Sequence, residues 1–275
     1  MLSPLQHLVL IAEHGTFTEA ARKAHLSQPA LSASIRRLEE QLGARLLERG
    51  RQGARLTAAG EAFLPRARDA LAALHDGQRA VAAIAGLETG EVRIGAGATV
   101  SSYLLPPILS RYRKRHPAIV IQLREMGAAA ARERVRDGRL DLAIVDVSKA
   151  DDHGLEAEPW REDRFVLIGS PKPEADRAGM ITVKQGATTR AMVDRHFSDL
   201  PIVMELTSIS AVMSHVREGI GVALVPEVAA RAEMGRRRLC LLRHKKTPIR
   251  RPLVVVHRGR DRLSPAAAAL RELLL

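Results

Sequence analysis

Residues 58–87 form one Ala/Leu-rich stretch with no proline after Pro65, and the hydrophobic periodicity differs in kind on its two sides. Before it, apolar residues recur every three or four positions in short blocks separated by turn residues. After Thr89-Gly90, short β-branched runs alternate with helical blocks. One uniform layer cannot accommodate both patterns. The pattern predicts a small helical unit, a long connecting helix and an α/β unit, and 275 residues with 46% hydrophobic content suffice to bury a core at both ends. No apolar run approaches the roughly 18 residues needed to cross a bilayer. The start, Met1-Leu2-Ser3-Pro4, lacks the basic lead of a secretory signal, so a cytoplasmic, nucleoid-associated protein with no membrane partner is expected. The single cysteine, Cys240, cannot close an internal disulfide or form a multi-thiolate metal site, and is expected to pack as a small hydrophobe.

The formal charge of +12 predicts attraction to polyanions but is unevenly placed. Residues 1–60 carry an excess of +3, residues 61–230 of −1 and residues 231–275 of +10. The C-terminal excess, with Arg236 to Arg238, Arg243, Lys245, Lys246, Arg250 and Arg251, reads as a solvated face, an auxiliary DNA contact or a subunit interface.

In the first sixty residues, Leu5, Leu8, Val9 and Ala12 mark the buried stripe of a helix that stops at Gly15. Thr16 and Glu19 are spaced for a capping box on a second, short helix with an inward face of Phe17, Ala20, Ala21 and Ala24, whose alanines allow a close helix crossing. Ser27 caps a third helix, and Pro29 fits its first turn because the N–H that proline lacks would have had no partner there. That helix is expected to bury Leu31, Ile35, Leu38 and Leu42 and to end at Gly43. Gln28, Pro29, Ser32, Ala33 and Arg36 then point outward, an amide and a guanidinium suited to base edges or phosphate. Glu39 and Glu40 would be repelled by phosphate, so only the leading half of the helix is expected to enter a groove. Segments 46–49 and 53–56 suit a hairpin wing, with Arg49, Arg51 and Arg55 reaching backbone or minor groove.

Phe17-Thr18-Glu19-Ala20-Ala21, Leu26-Ser27-Gln28-Pro29-Ala30-Leu31-Ser32, Leu46-Leu47-Glu48-Arg49 and Leu56-Thr57-Ala58-Ala59-Gly60 closely resemble the DNA-binding domain of LysR-type transcriptional regulators. The resemblance implies an α/β protein with an N-terminal winged helix-turn-helix (1–60), a linker or dimerisation helix (58–87) and a two-lobed, periplasmic-binding-protein-like effector domain (91–275). Lobe I would take about 91–164 and 252–275, and lobe II about 165–251. It implies Gln28, Pro29 and Ser32 near bases, a small-molecule effector between the lobes, dimers that pair into tetramers, and RNA polymerase as a further partner. Many relatives carry arginine where this chain has Ala33.

In the linker, Leu64, Ala67, Leu71, Leu74, Gln78, Val81 and Ala85 alternate three and four apart, the seam of a two-stranded coiled coil. A helix packed on its own effector domain is the alternative. As a helix the stretch spans about 45 Å, and a symmetric dimer would read an imperfectly palindromic operator on double-stranded DNA.

Runs at 92–94, 119–121, 142–145, 165–168, 202–204, 222–225 and 253–257 predict strands of a largely parallel sheet, followed by a helix starting at Ser264-Pro265. Thr99, Ser101 and Ser102 lie at a helix start where hydroxyls and free N–H groups suit an anion, although helix capping would explain them as well. Thr207 and Ser208 are expected to face them across a hinge, with Asp146 at the cleft rim and Gly127 in the same contact set. The effector is thus expected to be a small, anionic metabolite, with no cofactor and no metal.

Catalysis is not expected. Gly95-x-Gly97 is followed by Val100 where a dinucleotide fingerprint needs its third glycine, ten histidines are scattered, and no serine occupies a Gly-x-Ser-x-Gly elbow. A solute-binding protein fits the C-terminal part alone but not the winged N-terminus.

Overall fold

The computed structural model describes residues 2–50, 53–84, 90–147, 154–171, 179–235 and 238–275. Helices α1 (Leu2–His14), α2 (Phe17–Lys23) and α3 (Gln28–Leu42), the hairpin β1 (Leu47–Gly50) and β2 (Gly53–Leu56), and the long α4 (Ala58–Ile84) form the N-terminal part. Local chemistry sets the boundaries. Thr16 Oγ1 accepts the Glu19 N–H at 3.2 Å, Ser27 Oγ accepts the Ala30 N–H at 3.3 Å, and Thr57 Oγ1 accepts the Gly60 N–H at 3.0 Å. The capping box at Thr16 is only half made, because the Glu19 carboxylate turns to Arg22.

The head core contains Leu5, Leu8, Val9, Ala20, Leu31, Ile35 and Leu38, as the periodicity predicts, together with Ile11, which it did not single out, while Ala12 is only partly buried. Leu42 does not join it and is 42% exposed. The chain reverses at Gly43 (φ +66), and Leu46 and Leu47, brought back by that turn, supply the burial instead. Glu39 is not a spectator. Its carboxylate accepts the N–H groups of Leu46 and Leu47 at 2.7 and 3.1 Å and fastens the wing to α3.

Three residues expected in a dimer seam, Leu64, Ala67 and Leu71, pack into this same head core. Over its first turns this stripe of α4 therefore packs on the chain's own winged head, which is neither the twin helix nor the effector domain of the two expectations. Farther along, Leu74 is half-buried and Val81 is 69% exposed, so the free part of the expected seam begins beyond Leu71. Ala85 lies outside the described residues.

The C-terminal part runs through β3 (Glu91–Ala96), a π-turn (Val100–Leu104), α5 (Pro106–Arg115), β4 (Val120–Glu125), α6 (Ala128–Arg136), β5 (Leu142–Asp146) and β6 (Glu156–Gly169). It continues with β7 (Met180–Val183), α7 (Thr188–His196), β8 (Ile202–Leu206), α8 (Ile209–Arg217), β9 (Ala223–Pro226), α9 (Glu227–Gly235), β10 (Cys240–Leu242), β11 (Ile249–His257) and α10 (Pro265–Leu274). The main sheet has the order β10-β6-β11-β5-β3-β4 with β9 also on β6, and β7 pairs with β8.

The sheet is mixed, not largely parallel. Only β3–β4, β3–β5 and β7–β8 are parallel among these strand pairs, while β6 pairs antiparallel with β9, β10 and β11, and β11 pairs antiparallel with β5. The reason is the chain path. It leaves lobe I along β6 and returns along β11, so the two connecting strands must run in opposite directions. The core around Ile94, Leu105, Tyr112 and Val255 lies on one side of this crossing, and the one around Ile168, Ile181, Val216 and Val225 on the other.

Candidate functional site

Two concave regions contain many of the sequence-predicted residues. The first lies along α3. A groove of about 890 Å³ is lined by Phe17, Gln28, Pro29, Ser32, Ile35, Arg36, Glu39, Arg45, Leu47 and Glu48. Gln28, Pro29 and Arg36 are exposed, as a reading face requires. Ser32 is not outward-pointing; at 8% exposure it forms part of the groove floor, one helical turn before buried Ile35. Arg55 is exposed on β2 opposite Glu48, and Arg49 pairs with Ala54 in the hairpin. The Arg49 side chain and the whole of Arg51 lie outside the described residues. Arg45 was missed by sequence reasoning; its signal is a cation two residues before the wing strand that lines the same groove.

The wing is placed by close backbone contact. Ala54 N–H donates to the Gly15 carbonyl at 2.7 Å, and a Cβ on Gly53 (φ +118) would stand 2.3 Å from that carbonyl oxygen. Glycine is required there, since an added methyl would push the wing off the α1–α2 turn.

The second region is a cleft of about 410 Å³ between the lobes. Of the expected contacts, Thr99, Gly127, Asp146, Thr207 and Ser208 line it. Ser101 and Ser102 do not. The π-turn that starts at Val100 rotates them away: Ser101 Oγ is buried without a hydrogen bond, and Ser102 is exposed. Thr99 accepts no capping N–H, so capping does not account for it. Ser208 does cap α8, accepting the Ala211 N–H at 3.2 Å. Next in sequence, Tyr103 reaches across the lobes, its hydroxyl 3.2 Å from Ser210 Oγ.

Two cations line the cleft unexpectedly: Lys184, which was not singled out, and Arg251, which was read as part of the C-terminal basic excess. Arg251 Nη2 donates to Asp163 Oδ2 at 2.5 Å and its guanidinium stacks 4.8 Å from the Phe165 ring, while its buried Nε has no hydrogen-bond partner. Helix starts also converge here. Gly127, Ala187 and Ser208, the residues preceding α6, α7 and α8, all line the cleft. The charged side chains of the lining, Lys184 and Arg251 against Glu125 and Asp146, balance one another, so it is the helix dipoles that tip the space toward an anion.

Of the C-terminal cations, Arg250 faces Glu162, Lys246 faces Asp199, and Arg251 is in the cleft; Arg236 and Arg237 lie outside the described residues. Cys240 is half-buried at a strand edge, with Sγ 3.4 Å from the Gly169 and Ser170 carbonyls.

A winged helix-turn-helix joined by a long helix to a two-lobed α/β domain defines a class of DNA-binding regulators, and comparison with known proteins gives the family. Residues 2–61 match the bacterial regulatory helix-turn-helix protein, lysR family, and residues 85–275 match the LysR substrate binding domain. The chain belongs to the LysR family of transcriptional regulators. It is 34% identical over all of its length to the SDS degradation transcriptional activation protein of a Pseudomonas strain, covering 95% of that protein. It is 31% identical over 99% of its length to a probable RuBisCO transcriptional regulator of Synechocystis, covering 85% of it. In fold it is similar to full-length OxyR from Pseudomonas aeruginosa, with a TM-score of 0.67 at 21% identity, covering all of this chain and 93% of that one. No helix among the described residues is long and apolar enough to cross a membrane.

Proposed function

We propose that this chain works as a homodimer, paired further into a tetramer, that reads an imperfect palindrome through Gln28, Pro29, Arg36, Arg45 and Arg55. Exposed Gln28 and Arg36 at the leading half of a capped, proline-started helix support direct readout. Exposed Gln78 and Val81, on the expected seam beyond Leu74, support pairing of two linkers. The names of the relatives, regulators of RuBisCO and an activator for SDS degradation, support control of transcription.

The effector of this reading is a small anion in the interlobe cleft. The observation that carries it is the convergence of three helix starts with Lys184, Arg251, Thr99, Thr207 and Ser208 on one space of about 410 Å³. An effector touching both lobes shifts their arrangement by its difference in affinity for the open and closed forms. Calorimetric titration with small mono- and dicarboxylates tests the effector, and gel shifts with genomic fragments test the DNA reading. Binding of carboxylates that is lost in Arg251→Met is expected; preference for neutral or apolar ligands contradicts the anionic effector.

A further inference from the structure

Helix α6 has one end in the cleft and the other against the DNA-reading unit. Gly127 and Ala128, at its start, line the cleft. Buried Arg132 in its middle donates to the Asp146 carbonyl at 2.8 Å, at the cleft end of β5. Its last turn and the following Asp137-Gly138-Arg139 meet α4 and α1. Arg68 of α4 lies 2.9 Å from Glu133 and 3.4 Å from Asp137, and Arg139 pairs with Glu13 of α1. Gly138, at φ +69, lets this turn approach α4 so closely that a Cβ on it would stand 2.9 Å from the Ala72 Cβ.

Beside these pairs is a second cavity of about 410 Å³, lined by His7, Leu10, Lys23, Arg68, Leu71 and Asp137 among others. Neither carboxylate oxygen of Asp137 makes a hydrogen bond, although the side chain is 3% exposed. Ion pairs beside a cavity leave this joint room for a second arrangement, since the empty space opposes no shift of the groups that border it. An element whose arrangement two sites both bias is the physical requirement for coupling between them.

We propose that α6 couples the cleft to the reading head: displacement of its N-terminal end is passed along a rod about 14 Å long to the Glu13–Arg139 and Arg68–Asp137 pairs, and so resets the angle at which α3 is presented. Lobe I is thereby latched to the head of its own chain, not only tethered to it through the linker.

Hydrogen exchange on the full-length protein, without DNA or effector, tests this independently of the DNA and effector readings. Glu13→Arg and Arg139→Glu are compared singly and together. Each single variant is expected to speed exchange about tenfold at residues 137–140 and 68–75, and also at residues 126–128 in the cleft, with the double swap restoring all three. Unchanged exchange in every segment, faster exchange confined to the latch, or no restoration by the double swap would each overturn the proposal. If a charge reversal prevents folding, Glu13→Gln takes its place, with the same expectation at both ends of α6.

Discussion

Arg251 and Asp163 face each other in register across the two strands that join the lobes, with Nη2 2.5 Å from Oδ2 and both side chains buried. Removing only the acid leaves a guanidinium in the crossing without its counter-charge. Asp163→Asn is expected to cost about 3–5 kcal/mol, and denaturant unfolding measures it. Replacing both residues by apolar ones of similar size should recover much of that loss.

The wing depends on one carboxylate. Glu39→Ala removes the single oxygen, Oε1, that accepts both the Leu46 and the Leu47 N–H, and the expected loss of head stability is about 1–3 kcal/mol. Thermal unfolding of the variant checks the loss. Operator affinity should fall with it, because the wing would no longer be fixed beside α3, whereas Glu40→Ala should leave both nearly unchanged.

Glu158 anchors the C-terminal helix. Arg271 and Arg260 pair with it and His257 Nε2 lies 3.1 Å away, and these hydrogen bonds, led by Arg271, hold its carboxyl down at about 2. A depressed carboxyl contributes stability that is present above its ordinary value near 4.5 and disappears as pH falls from there toward 2. Glu158→Gln should therefore be less stable than the parent at pH 7, with the gap closing between pH 4.5 and 2 in unfolding titrations.

Asp137 behaves oppositely. Burial pushes its carboxyl up to about 6 against the opposing pull of Arg68 and Arg139, with Glu133 and Glu13 adding to the rise. A raised carboxyl contributes stability that is present below its ordinary value of 3.8 and lost as pH climbs through about 6. Asp137→Asn should flatten the pH dependence of melting between 4 and 7 and raise the melting temperature at pH 7 relative to the parent.

Much of the head was legible because its signals are local. Thr16, Ser27, Gly15 and Gly43 act within one helical turn of themselves, so sequence spacing suffices to place them. The linker shows the opposite case. Spacing reveals that Leu64 and Leu71 share a stripe, but not whether a twin helix or the chain's own head covers it. Strand direction was hidden for a related reason, since β-branched runs read the same either way and only the double crossing of β6 and β11 sets their sense. In the cleft, Arg250 and Arg251 look alike in sequence. Alternation along β11 sends one to Glu162 at the surface and the other into the site. Ser101 and Ser102 were misplaced because a π-turn widens the helix where regular spacing was assumed.

The central claim is that the leading end of α3 reads duplex DNA, and the most direct measurement is binding of the parent and Arg36→Ala to an operator fragment and to a scrambled duplex over a range of salt. The parent should prefer the operator, with affinity falling steeply as salt rises, and Arg36→Ala should lose about 1–3 kcal/mol on the operator while binding the scrambled duplex nearly as before. Equal, weak binding of every duplex by the parent, or an operator affinity indifferent to Arg36 and Gln28 substitution alike, would contradict it.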